Sequence, residues 1–171
     1  FQRYLPTLQL KKQQLQMEVN ERRRLLKEKR QELKTRREEL SRWIGLLADP
    51  RLLDLLEISV AEEEKEAQET LNQIKEGLKS WILPEDVDVT TGNIAGAEIP
   101  ELKNIRFPEL KYNYFEAPLW VDRGMEKLRK FISFLVELQI IEHQLNRLSE
   151  ELRTTTQRVN LFEKVKIPEC Q

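Results

Sequence analysis

Phe134-Leu138-Ile141-Leu145-Leu148-Leu152-Thr155-Val159-Phe162 is an apolar seam, stepping by four and three residues in turn. That alternation is the heptad pattern of a helix made to pack knobs-into-holes against another helix. The matching row lies near the other end of the chain. Val19, Leu26, Leu33 and Leu40 recur every seven residues, and three residues after each of the first three come Arg22, Lys29 and Arg36. This first seam is narrow, apolar at one position per heptad and basic at the next. Two such helices bury their seams most simply by running antiparallel, so residues 8–48 are expected to pair with 130–165. Roughly forty residues at ~1.5 Å each would span about 60 Å.

The segment between the helices changes character. Asp49-Pro50 interrupts the first pattern, because proline lacks an N–H and clashes with the preceding turn. A second helical segment is expected from 51 to about 81, with Val60, Ala67, Ile74 and Trp81 at seven-residue spacing. Val87-Asp88-Val89-Thr90 alternates as a half-buried strand does, Thr91-Gly92-Asn93 is turn chemistry, and Ile94 to Ile99 can return as a second strand. The hairpin Val87 to Ile99 has too little core to stand alone. Phe107, Tyr112, Tyr114, Phe115 and Trp120 then form an aromatic loop. The expected fold is mostly α: a long antiparallel two-helix coiled coil with a small α+β head containing a short β-hairpin. Its divisions are residues 1–82, a long helix kinked near Pro50; 83–121, the head; and 122–171, the returning helix.

Composition supports this. Of 171 residues, 35% are charged and only 5 are glycine, which suits long helices better than a large globular core. The net charge of -1 gives no reason to expect a polyanion partner. Charge is nonetheless uneven. From Lys11 to Arg37 there are eleven cations against four carboxylates, whereas the stretch from Glu57 to Glu69 is acidic. The basic row lacks the interleaved aromatics of a nucleic-acid surface, so no nucleic acid is expected. Arg22, Arg23, Lys29 and Arg30 are instead candidates for partner contact. Trp81 and Trp120 bracket the head, as packing at its base or as partner anchors.

Catalytic signals are absent. The one histidine, His143, has no metal-ligand spacing to Glu142 or Glu150 and reads as an exposed helix residue. The one cysteine, Cys170, excludes an intrachain disulfide and has no neighbouring base. With five glycines there is no phosphate-cradling loop. No apolar run approaches the roughly 18 residues of a membrane span. No catalytic residue, metal or cofactor is expected.

Three motifs carry a family resemblance. Thr155-Thr156-Gln157-Arg158-Val159-Asn160-Leu161-Phe162-Glu163, followed by Ile167-Pro168, resembles a segment of the D subunit of V-type/A-type rotary ATPases. Arg24 to Leu33 is similar to that family's first-helix motif, and Asn93-Ile94-Ala95-Gly96 with Pro100 and Leu102 is similar to its head motif. The resemblance marks Arg158, Val159, Asn160, Glu163, Ile167, Pro168, Asn93, Gly96 and Pro100 as family positions. It implies a non-catalytic central axle, cytoplasmic and peripheral to the membrane, that binds no nucleotide. Its implied partners are the catalytic A/B hexamer, the small F subunit of the rotor and the connector on the membrane ring. It also leads us to expect sequence beyond both ends, including a longer helix after Ile167-Pro168. Pro50 and the residues beside Val159 depart from the family pattern. Two other readings fit two helices and a hairpin: a prefoldin-like chaperone, holding clients at its helix tips, and a structural coiled-coil adaptor.

Overall fold

The computed structural model describes residues 4–44, 80–110 and 120–166. Expectations for Pro50, for residues 51–79, for Tyr112, Tyr114 and Phe115, and for Ile167, Pro168 and Cys170 lie outside these. The described elements follow the order α1 (Leu5–Ile44), β1 (Asp86–Ile94), β2 (Ala97–Arg106) and α2 (Val121–Leu161). A π-helical turn, Phe162–Lys166, ends α2. The mostly helical architecture with one small hairpin is the one that the periodicity predicts.

The hairpin is longer than the sequence suggested, and its turn lies elsewhere. Thr91-Gly92-Asn93, expected to turn, belongs to β1. The chain reverses at Ala95-Gly96, where both φ angles are positive, 52° and 79°. Two positive φ values make a primed turn, whose twist matches that of paired strands. Gly96 takes this conformation without strain, and its N–H donates to Asn93 Oδ1 at 3.0 Å. Residues equidistant from this turn face each other: Thr90 Oγ1 donates to the Glu101 carbonyl, and Glu85 N–H donates to the Arg106 carbonyl at 2.9 Å.

The chain divides into two compact units. The first comprises Phe1–Gln31, Val89–Lys103 and Glu137–Gln171. Here β2 alternates as a half-buried strand must, with Ala97 and Ile99 inward and Glu98 and Glu101 exposed. Ala97 and Ile99 join Leu15 and Val19 of α1 and Leu148 of α2 in one core, flanked by Ile94, Ala95, Leu145 and Leu152.

The second unit comprises Glu32–Asp88 and Asn104–Val136. Val121 and Met125, in the first turns of α2, are fully buried beneath Trp81, Ile82, Leu110, Trp120 and Leu128. Gly124 lets the Trp120 ring pack close to the backbone: a Cβ there would lie 3.0 Å from the ring, which would have to give by a few tenths of an ångström. Arg129 ties this base together. Its guanidinium donates to the Trp81 carbonyl at 2.9 and 3.0 Å and to the Pro108 carbonyl at 2.6 Å, and it lies 5.3 Å from the Phe107 ring centroid.

Candidate functional site

The feature that can bear a mechanical function is the helix pair of the first unit. Its apolar contacts come from Leu15, Val19 and Leu26 on α1 and from Ile141, Leu148, Thr155 and Val159 on α2, all buried. Ile141, Leu148 and Thr155 lie seven residues apart, so one heptad row of α2 is sealed. The alternate row, Leu138, Leu145 and Leu152, is half-buried until Val159 closes it. Phe162 is half-buried in the π-helical turn. Burying a Leu in such a seam contributes roughly 1.5–3 kcal/mol.

Polar bridges cross the same pair. Gln9 donates to Glu163 at 2.7 Å, Lys11 to Glu151 at 2.7 Å, Arg30 to Glu142 at 2.7 Å and Lys29 to Glu137 at 3.1 Å. The low-numbered end of α1 meets the high-numbered end of α2, so the helices are antiparallel in this unit. Each bridge is partly exposed and worth little alone, but together they flank the apolar row.

The basic row divides in two. Arg22 and Lys29 occupy the second heptad position of α1 and turn into the seam, with side chains only 22% and 25% exposed. Their aliphatic stems cover apolar surface while the charged heads reach its edge. Arg22 stands 4.0 Å from Glu18, and its Nε is buried with no hydrogen-bond partner. Arg23 and Arg30 point outward, Arg30 onto Glu142. All four are candidates for partner contact in the sequence; Arg22 and Lys29, on the seam row by spacing, turn into the seam, while Arg23 and Arg30 beside them are exposed.

In the second unit, Leu33 and Leu40 are half-buried and Phe134 is buried. The Arg36 guanidinium lies 4.6 Å from the Phe134 ring centroid and pairs with Glu32 at 2.6 Å. Trp81 and Trp120 pack around Val121 and Met125, half-buried. At the hairpin base Arg106 pairs with Asp86. That hydrogen bond and the guanidinium charge hold the Asp86 carboxyl below its ordinary pKa and raise that of Arg106.

Among the family positions, Arg158, Asn160 and Glu163 are exposed, Val159 is buried, Gly96 lies in the turn with its N–H on Asn93 Oδ1, and Pro100 is half-buried. His143 is exposed beside Arg147 and Glu150 in a shallow groove of mixed character against the hairpin. Sequence reasoning missed Gln144 and Arg129. Gln144 is buried, and its Nε2 donates to the Pro100 carbonyl at 2.6 Å. A polar residue between apolar heptad positions was the one available signal for it. Among the described residues, no group of three or more metal-ligating side chains is present, and no helix is long and apolar enough to cross a membrane.

Comparison with known proteins gives one consistent result. The family model for the ATP synthase D subunit matches residues 1–171. The D subunit of the V-type ATP synthase of Borreliella burgdorferi is 38% identical over 168 residues, covering 98% of this chain and 71% of the relative. Proteins of the same name from Chlamydia abortus and Chlamydia muridarum are 32% and 30% identical, covering 97% and 96% of this chain and 69% and 70% of theirs.

Proposed function

The chain belongs to the D-subunit family of ATP synthases, and on that premise we propose that it is the non-catalytic central-stalk rotor of a V/A-type rotary ATPase. It transmits torque between the catalytic A/B hexamer and the ion-translocating membrane ring. The small F subunit of the rotor and the ring connector are its other partners, and it sits at the membrane's cytoplasmic side without inserting.

The observation that carries this reading is the cross-bridged antiparallel helix pair. One helix bends and twists too easily to transmit torque. Two helices resist only if they cannot shear past each other. Buried Leu15, Val19 and Leu148 oppose separation, and the Lys11–Glu151, Lys29–Glu137 and Arg30–Glu142 pairs flank them. The outward cations, Arg23 among them, suit weak, screened contact with acidic groups on a surrounding partner, which does not interlock with the shaft. The family match does not favour the chaperone and adaptor readings.

Co-expression with the small rotor protein of the same genome, weighed by size-exclusion light scattering, tests the proposal. A 1:1 heterodimer that assembles with the A/B hexamer and restores ATP-driven rotation is the expected result. A chain that stays alone, or self-associates and suppresses client aggregation, overturns it.

A further inference from the structure

A heptad repeat does not by itself fix how far one helix has slid along another. A slide of seven residues, about 10 Å, returns each heptad position to an equivalent one. The bridges of this pair do not resolve the ambiguity. Arg22 and Lys29 repeat at seven residues, and so do Arg23 and Arg30. Were α1 slid by one heptad, Arg22 would face Glu137 in place of Lys29, and Arg23 would face Glu142 in place of Arg30. Of the three ion pairs, only Lys11–Glu151 would lose its cation, to Tyr4, and a partly exposed pair contributes little.

The rungs of α1 do discriminate. Between Leu8 and Leu40 they are Leu8/Lys12, Leu15/Val19, Arg22/Leu26, Lys29/Leu33 and Arg36/Leu40. Only Leu15/Val19 is apolar at both positions. That is the rung on which the hairpin sits: Ala97 and Ile99 pack against Leu15, Val19 and Leu148, with Ile99 1% exposed. Gln144, donating to the Pro100 carbonyl, fixes the same strand to α2.

We infer that the β-hairpin is the register pin of the helix pair: it demands a doubly apolar rung, α1 offers one, and their match sets the axial position of α1 against α2. A slide in one direction would drive Lys12 into the buried place of Val19. A slide in the other would drive Arg22 into that of Leu15. Either buries a cation against Ala97 and Ile99 without a partner, which costs far more than the lost surface pair. Ile99, Ala97 and Gln144 are then positioning residues for the shaft. The inference rests on packing, not on the proposed rotor role.

The test swaps cation and apolar residue between positions 12 and 15. Lys12→Val with Leu15→Arg makes the rung one heptad earlier the doubly apolar one, and in the slid register the cation at position 15 takes the edge place of Arg22 while Val19 takes the buried place of Leu26. In a Cys170→Ser background, Arg30→Cys with Glu142→Cys reports the observed register through a short bis-maleimide, and Arg23→Cys with Glu142→Cys reports the slid one. The unswapped chain should crosslink only the 30/142 pair. The swapped chain should crosslink the 23/142 pair in severalfold excess. Persistence of the 30/142 crosslink alone in the swapped chain overturns the inference. Should the swap abolish helicity by circular dichroism, Ile99→Ala decides instead, since it loosens the pin without adding charge. A severalfold rise in 23/142 crosslinking over the parent supports the pin, and no rise overturns it.

Discussion

Gln144 of α2 donates a 2.6 Å hydrogen bond to the carbonyl of Pro100 in β2, joining residues 44 apart in sequence. Gln144 is buried, so water cannot readily replace its partner. Gln144→Leu keeps the side-chain size but leaves the Pro100 carbonyl short of a donor. The expected loss is about 1 kcal/mol of stability, read as a lower urea midpoint with an unchanged slope. An unchanged midpoint would show that the strand is held by Ala97 and Ile99 alone.

Leu148 has no exposed surface, whereas Met17, also on a seam helix, is 71% exposed. Truncation should separate them. Leu148→Ala removes buried methyl groups at the meeting of α1, α2 and the hairpin and leaves a cavity, costing about 2–5 kcal/mol. Met17→Ala should stay within about 0.5 kcal/mol. Thermal unfolding of the two variants side by side checks this, and equal shifts would mean that the seam is misassigned.

Arg22 places a buried Nε without a hydrogen-bond partner inside the seam. Removing both the charge and the orphaned donor relieves a desolvation cost. Arg22→Met should therefore leave stability unchanged or raise it by about 1 kcal/mol, against the usual direction of mutation. Lys29→Met, which abandons Glu137, should not stabilise. A marked loss in the Arg22 variant would show that its guanidinium serves the fold.

The helices were legible in the sequence because hydrophobic periodicity fixes both their type and their facing sides. Phe134, Ile141, Leu148, Thr155 and Val159 are buried along the stripe that their spacing defines. The hairpin was legible only in outline. Thr91-Gly92-Asn93 has stronger turn chemistry than Ala95-Gly96, yet strand pairing and the burial of Ala97 and Ile99 set the reversal at Ala95-Gly96. Spacing put Arg22 and Lys29 on the seam row with Arg23 and Arg30 beside them, but it could not say which cations were left for a partner, since long cationic side chains serve seam edge and surface alike. Arg129 and Gln144 were illegible for another reason. Their partners are backbone carbonyls at Trp81, Pro108 and Pro100, which carry no side-chain signature.

Acid should loosen the hairpin base. The Arg106 hydrogen bond and charge hold the Asp86 carboxyl below its ordinary pKa. A carboxylate depressed in the folded state contributes stability above its unfolded pKa and loses it as pH falls through the folded one. The pair is therefore intact at neutral pH and lost progressively below about pH 4. The backbone amide of Glu85, bonded to the Arg106 carbonyl, should report this by NMR as an acid transition that Asp86→Asn abolishes. A transition that survives Asp86→Asn would place its cause elsewhere.

Arg23 offers a clean separation of surface function from shaft integrity. It is exposed and lies next to seam-facing Arg22. Reversing its charge should leave the isolated chain within about 0.5 kcal/mol of its parent, because no seam contact is touched. Lys29→Glu, by contrast, sets like charges together at Glu137 and should lower the melting temperature of the chain itself. If exposed cations of α1 face acidic groups of a surrounding partner, Arg23→Glu should slow assembly with the A/B hexamer at low salt. The deficit should shrink as salt is raised, since screening removes attraction and repulsion alike. Assembly rates for Arg23→Glu and its parent, followed across a salt series by light scattering, decide the point. Equal rates at every salt concentration would leave Arg23 as a solvating charge and move the search for the contact to the exposed face of the hairpin.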